Sequence, residues 1–573
     1  MTLAIPRNRW KIAPFDAKRA GELGLKLDVP PLIAHLMLLR GLKTDQEMRD
    51  FLRPSLNHLS DPFDLDDMRP AVDRITAARD RGESVLVFGD YDVDGITGAV
   101  IMARGLRRFG VQRVDCDMPD RFAEGYGITP EHVDEARARG FSLIITVDNG
   151  ISAHAAAEHA RDIGLDMIIT DHHALEDRLP PAVAVINPKR GRPDHPAYML
   201  AGAGVALKLA TALNGVPNDL DIAALGTVSD IVPLLAENRV ITALGIRHMI
   251  KHGRIGIARL ARTARFDLAD VTAHKIAFQL GPRLNAAGRL DTGHTALELL
   301  MTDCEAQAAT LAEALHRANE ERRGIEQRIF DEAEEILEAF LTPAQRSVVL
   351  AQDTWHQGVI GIVASRVQVK YQRPVIICCK AEDGLLHGSA RSSPGFNMVE
   401  ALGACSEHLV TFGGHVAAAG LALEPAALEA FKDAFEKQAL KQLGPDGVEP
   451  ILDVHAIVGL SQLNSAFIRC LDSLEPYGQA NPEPLFCALG VEVSPQSVRI
   501  LKEQHIKFEV RQGDVSMKAV GFRMAERFYT GEMPTKLDIV FSPGFNTYNG
   551  ETTIQLTLKD TRASEQPSRI EEI

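Results

Sequence analysis

Ser84-Val85-Leu86-Val87-Phe88-Gly89-Asp90-Tyr91-Asp92-Val93-Asp94-Gly95 joins an apolar run to a burst of carboxylates. The run reads as a buried strand, and the acids fall where it ends. The same arrangement returns in Leu143-Ile144-Ile145-Thr146-Val147-Asp148-Asn149-Gly150 and in Met167-Ile168-Ile169-Thr170-Asp171-His172-His173. Ala-rich helical stretches, about 97–109 and 152–163, lie between these strands. Such alternation predicts βαβ units and a mostly parallel sheet with helices on both faces, an α/β class. In these sheets the ligand crevice lies beyond the carboxyl ends of the strands, where all three acidic motifs fall.

Carboxylates and imidazoles massed at the ends of core strands are costly to desolvate unless something cationic joins them. Two divalent cations would do so, and a two-metal site performs phosphoester chemistry. A fourth acid, Asp230, sits in the apolar stretch Gly226-Thr227-Val228-Ser229-Asp230-Ile231-Val232-Pro233-Leu234 and also needs a partner. Each motif alone has a plain reading. Acidic loops bind calcium or face water, a single histidine is usually structural, and Asp230 suits a helix cap or a salt bridge. The four together outweigh those readings. Oxygen ligands mixed with imidazole, without thiolate, suit manganese or magnesium better than a closed zinc site.

The chain has 573 residues, too many for one core, so about three or four domains are expected. Residues 1–81 read as a helical region and 82–240 as the catalytic α/β domain. A helical region with a long connecting helix follows at 241–345, then a second α/β domain at 346–442. Residues 450–562 change to alternating strands that suggest a small β-barrel of the OB type, and 563–573 form a tail. A formal net charge of -15 argues against coating nucleic acid through a bulk positive field, so local basic grooves must serve. Seven scattered cysteines without a CxxC pair fit a reducing compartment. No signal-peptide pattern, bilayer-spanning run or Gly-Lys-Ser/Thr loop is evident, so the expectation is a cytoplasmic protein with no membrane association and no use of ATP.

These motifs jointly resemble the DHH phosphoesterase family. Pro119-Asp120-Arg121-Phe122-Ala123-Glu124-Gly125-Tyr126-Gly127 and Gly281-Pro282-Arg283-Leu284-Asn285-Ala286-Ala287-Gly288-Arg289 narrow the likeness to its RecJ branch of single-strand-specific exonucleases. Trp355-His356-Gln357-Gly358-Val359-Ile360-Gly361, Gly388-Ser389-Ala390-Arg391-Ser392-Ser393 and Gly413-Gly414-His415 resemble the DHH-associated domain. Leu474-Glu475-Pro476-Tyr477-Gly478 and the strands after it resemble the RecJ OB-fold. The resemblance implies that Asp90, Asp92, Asp94, Asp148, His172 and Asp230 bind or bridge two divalent ions, Mn2+ or Mg2+, with His173 beside them. Asp148, His172 and His173 are then the catalytic candidates, and Asp148, between the other strand ends, is the expected bridge. Where some members carry a histidine two residues before the first motif aspartate, this chain has Phe88.

Arg121, Arg283 and Arg289 are candidates to neutralise phosphates, with Asn285 in the same segment. Ser389 and Arg391 could hold a terminal phosphate, and His415 follows two glycines that allow close approach. On the barrel, Lys502, His505, Lys507, Phe522 and Tyr548 are candidates for strand contact. The resemblance implies a 5′→3′ exonuclease that releases 5′-mononucleotides from single-stranded DNA in repair and recombination, on strands opened by a helicase and shared with a single-strand-binding protein. The rival readings are a DHH phosphodiesterase of short oligonucleotides or cyclic dinucleotides, and a non-catalytic single-strand-binding scaffold.

Overall fold

The structure is a computed structural model that describes residues 8–120, 125–290, 293–528, 534–548, 550–564 and 570–572. Only the backbone enters the description at Ala287, Arg289, Leu290, Glu526, Arg527, Tyr548 and 570–572. The acidic motifs close a five-stranded, wholly parallel sheet in the order Arg113–Asp117, Ser84–Gly89, Leu143–Val147, Asp166–Thr170, Ala184–Ile186. From the strand Ser84–Gly89 the chain goes first to one side and then to the other. Its boundary with Leu143–Val147 is therefore the topological switch point, where such sheets hold ligands.

The pleat sends alternate residues to opposite faces. Val85, Val87, Ile145 and Ile168 join one core with the helices Val93–Phe109, Gly202–Asn214 and Leu220–Ser229. Leu86, Phe88, Ile144 and Ile169 join a second core with Pro130–Ala138 and His154–Asp162. Phe88 is buried there with its ring centroid 4.8 Å from that of His132.

The helix Glu305–Phe340 has 36 residues, which makes it about 54 Å long at 1.5 Å per residue. Ala308, Ala312 and Leu315 at one end belong to the first core. Ile329, Phe330, Ala333 and Leu337 at the other pack with Val359, Val363 and Val367 of the second α/β unit. That unit has a five-stranded mixed sheet in the order Thr411–Gly414, Ala418–Leu423, Leu386–Arg391, Val375–Lys380, Val348–Gln352.

In the C-terminal unit, Phe486–Val493 pairs with both Lys536–Tyr548 and His505–Gln512. The ladder continues through Glu551–Ala563 and Val515–Gly521, so these strands form a ring of pairings. Two of them run to 13 residues, longer than the short strands expected from the sequence. The N-terminal helices Ala17–Leu27, Pro31–Leu39 and Asp45–Leu52 share this core: Ile33, Leu36, Met37 and Phe51 meet Phe467, Phe486 and Phe508. The helical reading of the N-terminus omits one strand, Arg9–Ile12, which pairs in parallel with Ile451–Val454 and Ile570–Glu572. Its signal is short: only Trp10 and Ile12 alternate into the interior.

Candidate metal centre

The loop after Ser84–Gly89 turns at once into a helix. Asp92 is the N-cap of Val93–Phe109, its Oδ1 accepting from the amides of Asp94 at 2.8 Å and Gly95 at 3.1 Å. A carboxylate at this position satisfies amides that have no helical partner. Asp94 therefore lies in the first helical turn rather than on an extension of the strand. A Cβ at Gly95 would stand 2.5 Å from the backbone N and O of Asp90, so only glycine lets the loop fold back this closely.

Asp94 is buried and accepts from the amides of Gly202 at 2.6 Å and Ala203 at 2.9 Å. These amides open the helix Gly202–Asn214, whose N-terminus favours an anion. Asp148 sits in left-handed backbone, φ 63°. Its amide donates to Thr170 O at 3.0 Å, and the Tyr126 hydroxyl donates to its carbonyl at 2.8 Å. Asp230 is the C-cap of Leu220–Ser229, the plain reading of its sequence context, and it also faces the cluster.

His172 ties the set together. Its Nε2 lies 3.0 Å from Asp148 Oδ1, 3.6 Å from Asp230 Oδ2 and 3.7 Å from Asp94 Oδ2. His173 Nδ1 is 2.8 Å from Asp171 Oδ1 and 4.0 Å from Asp148 Oδ1. Asp171 also accepts from the amides of Ile151, His172 and His173, so it orients the turn. Possible ligand atoms within 4.8 Å of one another form three groupings: Asp148 with His172 and His173; Asp94 with His172 and Asp230; Asp90 with Asp92 and Asp148. Asp148 and His172 each belong to two of them.

The charges do not balance internally. Burial, then Asp92, pushes the Asp94 carboxyl up to about 7. Burial, then Asp94 and Asp92, pushes Asp230 up to about 9. Asp148 is raised well above the carboxylate range by burial and by Asp94, Asp92 and Asp230. His172 offers no compensation, because burial and His173 push it down to about 3. Asp148 Oδ1 and His172 Nε2 are buried without a hydrogen bond despite their proximity. Clustered oxygens, a neutral imidazole and excess negative charge fit divalent cations.

The substrate candidates scatter more widely. The side-chain Oδ1 of Asn285 accepts from the Val93 amide at 3.0 Å, so Asn285 braces the acidic loop. Arg283 donates to Gln279 O at 2.7 Å and faces Glu320 and Arg323 of the long helix. Arg391 donates to Ser389 Oγ and Ser365 Oγ, both at 3.0 Å, and among the described residues no carboxylate pairs with it. His415 is exposed, its amide donating to Ala418 O at 2.8 Å. Arg121 lies outside the described residues, and of Arg289 and Tyr548 only the backbone is placed. On the barrel, Lys507 shares the strand His505–Gln512 with His505, whose ring meets exposed Phe522 edge-on at 5.4 Å. Lys502 precedes that strand with φ 50°.

Sequence reasoning missed three contributors. Tyr126 fixes Asp148 and lies 3.2 Å from His173 Nδ1. Asn187 donates to His173 O at 3.0 Å, and Lys189 feels the charges of Asp171 and Asp230. The available signal was that Asn187-Pro188-Lys189 directly follows the strand Ala184–Ile186, whose end opens on the same crevice.

The fold and the acidic crevice define a DHH-type α/β chain: the model of the DHH family, N-terminal domain, matches residues 84–227, and that of the DHHA1 domain matches 344–441. The RecJ OB domain model matches residues 454–560. The single-stranded-DNA-specific exonuclease RecJ of Bacillus subtilis (strain 168) is 36% identical over 561 residues, 97% of this chain and 71% of its own length. The RecJ of Escherichia coli (strain K12) is 35% identical over 563 residues, 93% of this chain and 96% of its own. The Mn2+ complex of RecJ from Thermus thermophilus superposes with a TM-score of 0.84 at 31% identity, covering 99% of this chain and 80% of that one. The chain belongs to the RecJ family.

Proposed function

We propose that this chain is a single-strand-specific 5′→3′ DNA exonuclease that releases 5′-mononucleotides by metal-dependent hydrolysis. The observation that carries the reading is the convergence of Asp90, Asp94, Asp148, His172 and Asp230 at the sheet's switch point, in a chain whose relatives are named as such enzymes. Thermus thermophilus RecJ is solved with Mn2+ and with Mg2+.

Asp90, Asp92, Asp94, Asp148, His172 and Asp230 would hold two such ions, and Asp148, shared between two groupings, is the residue best placed to serve both. When bound, the ions stabilise charge on the scissile phosphate and activate water. Asp171 fixes His173 beside Asp148, placing an imidazole to exchange a proton with the reacting oxygens. Ser389 and Arg391 hold the terminal phosphate; the planar guanidinium, which no carboxylate among the described residues pairs with, is suited to bidentate contact with phosphate oxygens. Arg283 and His415 would meet the strand along its path, with Arg121 and Arg289 assigned the same role by their sequence motifs. Lys502, His505, Lys507 and Phe522 would meet it further along, with Tyr548 assigned there by sequence. No helix among the described residues is long and apolar enough to cross a membrane. The proposed setting is the cytoplasm, in repair and recombination, where a helicase opens the strand and a single-strand-binding protein shares it.

The test is digestion of single strands labelled at one end and blocked at either, with Mn2+. Blocking the 5′ end should stop digestion and blocking the 3′ end should not. Cleavage confined to dinucleotides would replace this reading with that of a small phosphodiesterase.

A further inference from the structure

Asp230 is placed by more than its own domain. The segment after it departs from helical geometry at once: Ile231 has φ 61° and is exposed, and Leu234 returns to the interior at 2% exposure. Leu234 belongs to the core of the parallel-sheet unit, whereas its neighbour Leu235 packs on the core shared by the barrel and the N-terminal helices. The Leu234 amide donates to Gln479 O at 2.8 Å, in the loop that leads into the barrel. A Cβ at Gly478 would stand 2.6 Å from Leu234 Cδ1 and 3.2 Å from its Cγ, so this glycine permits the close approach.

The same loop is held from both sides. Arg239, 2% exposed on the helix Ala236–His252, donates to the carbonyls of Leu474 at 2.9 Å, Glu475 at 2.8 Å, Ser473 at 3.2 Å and Phe51 at 3.0 Å. Fully buried Asn481 donates to Leu474 O at 3.0 Å and Pro476 O at 2.7 Å, and accepts from Arg40 Nε at 2.5 Å. On the other flank, Asn238 donates to Pro233 O at 3.1 Å. A buried guanidinium whose partners are backbone carbonyls fixes where those carbonyls lie.

We propose that residues 474–481 of the C-terminal unit position Asp230, so that cation binding at the Asp94, His172 and Asp230 grouping depends on the docking of that unit. Gly478 and Arg239 are positioning residues; neither touches the reacting atoms. This rests on the metal-centre reading above and deepens it. The coupling is reciprocal: loading the centre should hold the loop more firmly.

The test is Mn2+ titration of the full-length protein by electron paramagnetic resonance, with thermal melting of the metal-free form alongside. Outer supports of metal ligands change affinity by roughly 10–100-fold. Gly478→Ala should weaken one class of Mn2+ site by on the order of tenfold, while the metal-free melting temperature stays within a few degrees. Adding Leu234→Ala, which removes the colliding atoms, should recover that affinity. Arg40→Met, which releases only the outer edge of the loop, serves if Gly478→Ala does not fold, and should act in the same direction. Wild-type binding with unchanged affinity in these variants overturns this inference alone. Equal weakening of every site together with a fallen melting temperature also overturns it. A wild-type protein that binds no Mn2+ overturns the metal-centre reading as well.

Discussion

The two α/β units each carry a five-stranded sheet, one wholly parallel and one mixed, and they present opposite charge at their candidate sites. At the parallel sheet, Asp94 and Asp148 are buried beside half-buried Asp230, and all three carboxyls are pushed upward, with Lys189 offsetting the last only in part. At the mixed sheet, Arg391 is half-buried, bonded to Ser365, Ser389 and a backbone carbonyl, and burial pushes its guanidinium downward. Among the described residues, one edge gathers more carboxylates than cations and the other presents a guanidinium that no carboxylate pairs with. On the proposed function, a phosphodiester strand with divalent cations would supply the missing charge at both edges. The long helix from 305 to 340, seated in both cores, keeps the two edges at a set separation.

Removing the shared carboxylate should break the comparison most severely. Asp148→Asn should lower exonuclease turnover by more than about a hundredfold, since even an outer partner of a metal ligand costs 10–100-fold; near-normal digestion would sink the site assignment. On the other side, Arg391→Met removes a charge-assisted contact of about 1.5–3 kcal/mol. That corresponds to a KM rise of roughly 10–150-fold with kcat little changed, largest for strands bearing a 5′-phosphate. Arg391→Lys should recover only part of it, because a point charge does not reproduce the planar fork.

Smaller effects sharpen the picture. Tyr126→Phe deletes the hydrogen bond to Asp148 O, about 0.5–1.5 kcal/mol, and should weaken Mn2+ binding a few-fold without moving Arg391-dependent KM. The pH response has a fixed sign. Folded, metal-free Asp94 and Asp230 keep protons up to about 7 and about 9, against an ordinary 3.8. The stabilisation this gives is present at low pH and lost as pH rises through those values. Bound cations require the deprotonated ligands. The Mn2+-induced rise in melting temperature should therefore grow from pH 6 to pH 9; a shift that shrinks over this range would contradict the charge imbalance.

Local pattern alone determined the strands ending in Asp90, Asp148 and Asp171, because buried apolar runs and abrupt acids need no distant partner to be recognised. The parallel sheet followed from the alternation of those strands with helices, whereas the expected ligand set came from family resemblance. Tertiary structure alone decided that Asp92 caps a helix, that Asn285 braces the acidic loop and that Tyr126 holds the carbonyl of Asp148. It alone brought the N-terminal strand to Ile451–Val454 and a barrel loop to Leu234. Apart from the Asp92 cap, which is local, these contacts join residues far apart in the chain, often through backbone atoms that every residue type carries, so composition and spacing hold no trace of them.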